Sequence, residues 1–157
     1  MKKLWAPWRI GYVQKQNKGC IFCQAAKSKL DKKNFVIHRS KFCFSILNTF
    51  PYNNGHIMVA PYRHKGNLDN LSDEEMLDLI KVLKLTQKQL DKTLRPHAYN
   101  IGINIGKDAG AGFAGHLHIH IVPRWKGDVN FMPVVFDTKV ISQSLTELYK
   151  KLTTKKR

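Results

Sequence analysis

The chain has 157 residues, 43% apolar and 24% charged, which suffices to bury one core of ordinary domain size and excludes wholesale disorder. Its 27 Lys and Arg against 11 Asp and Glu leave a net charge of +16, a surplus that favours polyanionic partners such as nucleic acid, anionic membrane or phosphorylated small molecules. Three cysteines do not make a disulfide framework. No run approaches the roughly 20 apolar residues of a membrane span, and Arg9 interrupts the start before a signal-peptide core can form. The expectation is a cytoplasmic protein in a reducing setting, with no membrane partner.

Along the chain, residues 35–38 and 42–47 are β-rich runs separated by a polar turn. A third strand, residues 56–60, follows the turn Pro51-Tyr52-Asn53-Asn54-Gly55 and stops at Pro61. The clearest element is a helix over Asp73–Leu94, with Ser72 as N-cap, Glu75 completing a capping box and Asp73, Glu74 and Glu75 at the positive end of the dipole. Met76, Leu79, Ile80, Leu83, Leu90 and Leu94 recur at near-helical spacing and are expected to form its buried stripe. Pro96 ends it. Residues 98–105 and 116–122 are two more strands, joined by a small-residue loop over 106–115. A shorter helix over 140–152 precedes a frayed basic tail, 153–157. Strands, one long helix, then strands again predict an α+β fold with a mostly antiparallel sheet. No repeat or linker divides the chain, so one domain over 1–157 is expected.

Chemistry concentrates in His116-Leu117-His118-Ile119-His120-Ile121-Val122. On a strand of period two, the three histidines share one face while Leu117, Ile119 and Ile121 line the other. Three imidazoles this close hold one another's charge down and can relay protons. A metal cluster or nucleophilic catalysis by an imidazole would each use them. The preceding loop, Asp108-Ala109-Gly110-Ala111-Gly112-Phe113-Ala114-Gly115, lets backbone N–H groups approach an anion, which fits attack by histidine on phosphorus.

The triad and the upstream block Asn48-Thr49-Phe50-Pro51-Tyr52-Asn53-Asn54-Gly55-His56 resemble the histidine triad (HIT) superfamily of nucleotide hydrolases and transferases over about residues 35–125. Leu4-Trp5-Ala6-Pro7-Trp8-Arg9, the pair Cys20 and Cys23, and Pro123-Arg124-Trp125-Lys126-Gly127-Asp128 with Asn130-Phe131-Met132 look like the bacterial diadenosine tetraphosphate phosphorylase-like branch. The resemblance implies a HIT fold, a homodimer and cleavage of dinucleoside polyphosphates. In it His118 would attack the α-phosphorus, His120 would contact the phosphate and orient the nucleophile, and His56 would join the histidine relay. Asn48 would grip the ribose, while Asn104 and the backbone of Gly110, Ala111 and Gly112 would hold phosphates. Many members place Ser or Thr in this loop where the chain has Ala111-Gly112, so those contacts would come from main-chain N–H alone. Phosphate or water would then accept the nucleotide. Hydrolysis of nucleoside phosphoramidates is the rival reaction on the same fold.

Cys20 and Cys23 carry the C-x-x-C spacing of tetrahedral zinc sites, although a redox dithiol or two buried cysteines would read the same. The resemblance implies a structural zinc completed by His64 and His116. A basic, zinc-bearing nucleic-acid-binding protein is the rival of another class. It lacks support from any RNA-reading motif or from a basic helix with interleaved aromatics.

Overall fold

The computed structural model describes residues 19–128 and 143–154. The N-terminal aromatic segment, Asn130 to Met132, the start of the expected second helix and the last three residues of the tail lie outside this range. The element order is α1 (Ile21–Lys27), α2 (Asp31–Asn34), β1 (Val36–Arg39), β2 (Cys43–Leu47), β3 (Ile57–Pro61), a 3-10 turn (Leu68–Asn70), α3 (Asp73–Leu94), β4 (Ala98–Ile103), β5 (Ile119–Arg124) and α4 (Leu145–Thr153). The five strands form one sheet in the order β1-β2-β3-β5-β4, with every neighbouring pair antiparallel. This is the expected α+β architecture, with the two short helices α1 and α2 added ahead of the sheet.

Period two sorts the strand residues onto two faces. Phe44, Ile46, Met58 and Ala60 pack with Phe22 and Ala25 of α1 on one side. On the other, Cys43, Val59, Leu117 and Ile119 pack under Leu79 and Val82 of α3, and Leu47, Ile57 and Ile121 pack under Leu90 of α3 with Leu148 and Leu152 of α4. Leu117, Ile119 and Ile121 therefore line the helix-covered face, as their alternation predicts.

The capping box of α3 forms: Glu75 N–H donates to Ser72 Oγ (3.3 Å), and Ser72 N–H donates to the Glu75 carboxylate (2.8 Å). The expected stripe is rotated by about one position. Glu75, Leu79, Val82, Thr86 and Leu90 are buried, whereas Met76 and Ile80 are exposed. Polar anchors set the rotation. Asp78 accepts from the Ser40 hydroxyl (2.6 Å) and from Phe42 N–H (2.8 Å), and the Glu75 carboxylate takes both Nε and Nη2 of Arg63. Burying these carboxylates against their donors turns the Glu75 side inward and carries Met76 and Ile80 into solvent.

Two further expectations are corrected. The last strand begins at Ile119 and not at His116. The β3–β5 pairing ends at Val59 opposite Ile119, beyond which the chain after Pro61 turns away and Leu117 N–H donates to Lys65 O instead (2.6 Å). Thr153 belongs to α4 and not to a frayed tail; its hydroxyl donates to Tyr149 O (2.8 Å). Among the described residues, no helix is long and apolar enough to cross a membrane.

Gly55 is the one residue its turn can use. Its φ is +78°, and a Cβ there would lie 2.7 Å from Leu94 Cδ1 and 3.0 Å from Pro123 Cγ. This tight junction delivers His56 into the sheet.

Candidate active site and metal centre

His120 lies on β5 opposite Met58 of β3 and Gly102 of β4. His116 and His118 come from the segment leading into β5, and His56 directly precedes β3. All four imidazoles are buried. Three of them lie in one connected layer: His56 and His120 ring centroids are 5.1 Å apart, His120 and His118 4.8 Å, while the His116 ring lies 5.2 Å from that of His64.

Backbone partners assign the protons. A carbonyl only accepts, so His118 Nδ1–H must donate to His116 O (2.8 Å), which leaves the lone pair on His118 Nε2. An amide N–H only donates, so Tyr52 N–H bonds His56 Nδ1 (3.0 Å) and the His56 proton sits on Nε2. His56 Nε2–H then donates to His120 Nδ1 (2.9 Å), placing the His120 proton on its own Nε2. Two backbone groups thus prepare one imidazole as a nucleophile and its neighbour as a hydrogen-bond donor. Burial pushes the His118 pKa below its ordinary value, and burial followed by the nearby His118 pushes His120 down to about 4. Both rings are neutral at neutral pH, the form needed for attack.

The expected substrate residues are brought to this layer with different degrees of freedom. Asn48 is buried beside His56; its Oδ1 accepts Phe50 N–H (2.8 Å) and its Nδ2 lies 3.3 Å from His56 Nδ1. Asn104 approaches the loop, since a Cβ on Gly110 would lie 3.8 Å from Asn104 Nδ2. Within that loop Gly110 N–H donates to Lys107 O (2.9 Å) and Ala111 N–H to Gly106 O (3.3 Å). The Gly112 N–H makes no hydrogen bond among the described residues.

Two aromatic residues were not singled out as site residues by sequence reasoning. Tyr52 is 47% exposed, with its ring 4.6 Å from His56 and 5.6 Å from His120. Phe22, fully buried, packs 4.7 Å from His118, 5.0 Å from His116 and 6.0 Å from Phe113 of the loop. Its position between Cys20 and Cys23 was the available signal.

Those cysteines meet the two predicted histidines. The donor atoms of Cys20, Cys23, His64 and His116 all lie within 4.8 Å of one another. Bond lengths of about 2.3 Å to sulfur and about 2.05 Å to nitrogen give tetrahedral edges near 3.5 Å for S–N and near 3.3 Å for N–N. The observed edges are 3.4 Å for Cys20 Sγ to His116 Nδ1, 3.2 Å for Cys23 Sγ to His64 Nδ1, 3.6 Å for Cys23 Sγ to His116 Nδ1, and 3.3 Å between the two Nδ1 atoms. His116 Nε2–H donates to Pro61 O (2.9 Å), which turns its Nδ1 lone pair toward the cluster, the outer hydrogen bond metal-ligating histidines commonly make. Two thiolates and two neutral imidazoles fit a tetrahedral zinc ion in number, type and spacing.

Over 163 aligned residues the chain is 35% identical to the AP-4-A phosphorylase of Mycobacterium tuberculosis, covering 98% of this chain and 84% of that protein. It is 34% identical to the asymmetrical bis(5'-nucleosyl)-tetraphosphatase of Schizosaccharomyces pombe over 69% of this chain and 59% of that protein. A zinc-bound histidine triad family protein from Mycobacterium smegmatis superposes with a TM-score of 0.70 at 25% identity, covering 86% of this chain and 91% of that one. With the HIT domain family model matching residues 29–127, the chain belongs to the histidine triad family.

Proposed function

We propose that the protein cleaves dinucleoside polyphosphates of the diadenosine tetraphosphate type through a covalent nucleotidyl-histidine. The observation that carries this reading is the proton arrangement of the site: His118 Nδ1–H is held on His116 O, so Nε2 is a neutral nucleophile beside the His56–His120 pair. His118 Nε2 attacks the α-phosphorus, a P–N bond forms, and the bond to the bridging oxygen breaks to release ATP. His120 Nε2–H is available to a phosphate oxygen during that step. Inorganic phosphate then attacks the same phosphorus, returning Nε2 its lone pair and releasing ADP. Splitting one displacement into two lowers each barrier. Asn104 and the Gly112 N–H hold phosphate oxygens, Asn48 contacts the ribose through whatever hydrogen-bonding capacity His56 and Phe50 leave it, and the +16 net charge draws in the polyphosphate. The similarity to the mycobacterial phosphorylase over nearly the whole chain favours phosphate over water as acceptor.

Product analysis tests the acceptor. With diadenosine tetraphosphate, ADP plus ATP is expected, and only when phosphate is present. AMP plus ATP regardless of phosphate would make the protein a hydrolase, and no turnover would remove this substrate class and bring phosphoramidates forward.

Cys20, Cys23, His64 and His116 would hold a structural zinc bracing α1 against the active strand. With four protein ligands no position would be left open for substrate or water, so these residues would serve to brace the fold and not the reaction. The reduced thiols that zinc requires suit a cytoplasmic setting. We also propose a homodimer that pairs two copies at β4. This edge strand exposes Ile101, and α3 exposes Met76, Leu77 and Ile80, apolar side chains that pairing of two copies would cover. Sedimentation equilibrium is expected to show a dimer for the wild type and a monomer for Ile101→Lys. A monomeric wild type would refute the pairing.

A further inference from the structure

The turn that delivers His56 is held, through its own Asn53, by a carboxylate far from it in sequence. Asn53 is buried, and its amide Nδ2 donates to both Pro123 O (3.0 Å) and Asp128 Oδ2 (2.8 Å). Its own carbonyl accepts His56 N–H (3.1 Å), and its Oδ1 accepts Asn54 N–H (3.1 Å). Asp128 is gripped from the other side. Arg124 binds it through Nε (2.6 Å) and Nη2 (2.9 Å), and Trp125 N–H donates to it (3.2 Å). Arg124 reaches on through Nη1 to Asn100 Oδ1 of β4 (2.8 Å). The carboxylate is thus a hub joining the ends of β4 and β5 to the turn between β2 and β3.

What the turn supplies to the chemistry is one N–H. Tyr52 N–H on His56 Nδ1 keeps the His56 proton on Nε2, and that proton in turn keeps Nδ1 of His120 an acceptor. Asn48 Nδ2–H, 3.3 Å from the same nitrogen, is a longer second donor whose amide is held by Phe50 N–H at the head of this turn; if the turn shifts and both contacts open, His56 can carry its proton on Nδ1. The His56–His120 hydrogen bond then reverses, with His120 Nδ1–H donating and His120 Nε2 left bare. No proton is gained or lost, but His120 no longer offers a donor to a phosphate oxygen. Misplacing a group at the reacting centre by about 1 Å can cost about 100-fold in rate.

We propose that Asp128 and Asn53 are a positioning pair that sets the proton polarity of the His56–His120 hydrogen bond. Neither residue touches the reacting atoms. The proposal rests on the catalytic reading above for its kinetic consequence, but its central claim concerns tautomers and is independent of substrate.

The test uses the full chain labelled with ¹⁵N, in which long-range ¹H–¹⁵N spectra report the tautomer of each histidine without any ligand. Asn53→Asp is nearly isosteric but turns the donor into a second carboxylate facing Asp128. Asp128→Ser removes the hub while leaving the Asn53 to Pro123 bond, and serves if Asn53→Asp does not fold. The wild type is expected to show His56 and His120 both protonated at Nε2. Both variants should show mixed or reversed tautomers at these two rings, with the metal-centre histidines unchanged. With diadenosine tetraphosphate, kcat should fall by up to about 100-fold while KM stays within about threefold. The exchange Asn53→Asp with Asp128→Asn restores a donor–acceptor pair between the two positions and should recover part of the tautomer signal and of kcat. Unchanged tautomers in folded variants would overturn the proposal, as would tautomers that change only when the melting temperature collapses. If the wild type turns over no dinucleoside polyphosphate, the catalytic reading fails, whereas the spectra still decide the positioning claim.

Discussion

His118→Ala is expected to lower turnover of diadenosine tetraphosphate by at least about 10⁴-fold, the scale of losing the nucleophile from a unit that works together. No other ring can replace it. His120 and His56 both carry their protons on Nε2, and His116 directs its Nδ1 at the cysteine cluster. The loss should therefore appear in the first chemical step, and no adenylate should accumulate on the protein. Substrate labelled at the α-phosphorus checks this by quenched mass spectrometry: the wild type gains one adenylate mapping to His118, and the variant gains none. Because Phe22 packs on the His118 ring, alanine also opens a cavity. His118→Asn restores a group able to donate to His116 O and should fold like the wild type while remaining equally inactive. Label on His120, or activity surviving in either variant, would remove His118 from the nucleophile's role.

Chelation of zinc is expected to produce the largest change in stability. A ligand that binds only the folded state stabilises it by about 4 kcal/mol when its free concentration is a thousandfold above Kd. Zinc-saturated wild type should melt well above the chelated protein, and Cys23→Ser should melt near the chelated protein whether or not zinc is added. Metal analysis should find one zinc per wild-type chain. The consequence reaches the active site through Phe22, which the two cysteines flank and which touches His116, His118 and Phe113. Near-ultraviolet circular dichroism should report its loosening without any substrate. A wild type that binds no zinc from dilute solution, or a Cys23→Ser variant with unchanged melting in zinc, would leave the four residues as a thiol–imidazole cluster only.

Much of this was legible in the sequence because it is encoded locally. The capping box of α3 lies within four residues, and the alternation of Leu117, Ile119 and Ile121 with three histidines sorts side chains by the period of extended chain alone. Cys20 and Cys23 carried a recognisable spacing, His64 and His116 followed from the family resemblance, and the donor atoms of all four meet. The rest depended on contacts between distant segments. Periodicity offers Met76 and Ile80 as core, but it does not register that Asp78 finds Ser40 and Phe42, or that Glu75 finds Arg63, and those bonds decide which way α3 faces. Of the three triad histidines only His120 lies within β5, because the pairing with β3 stops at Val59 opposite Ile119, a property of β3 as much as of β5.

The small-residue loop reads as a row of N–H donors, yet its own turn engages Gly110 and Ala111. Chemistry-bearing residue types and short-range periods are properties of the chain, so the sequence by itself determined the α+β class, the run of alternate histidines and the Cys20–Cys23 pair. Proton positions on the imidazoles, the rotation of α3 and the link from Asp128 to Asn53 depend on which donor meets which acceptor across the fold. Only the tertiary structure decided them, because a hydrogen bond between residues 75 positions apart exists only after the sheet has brought them together.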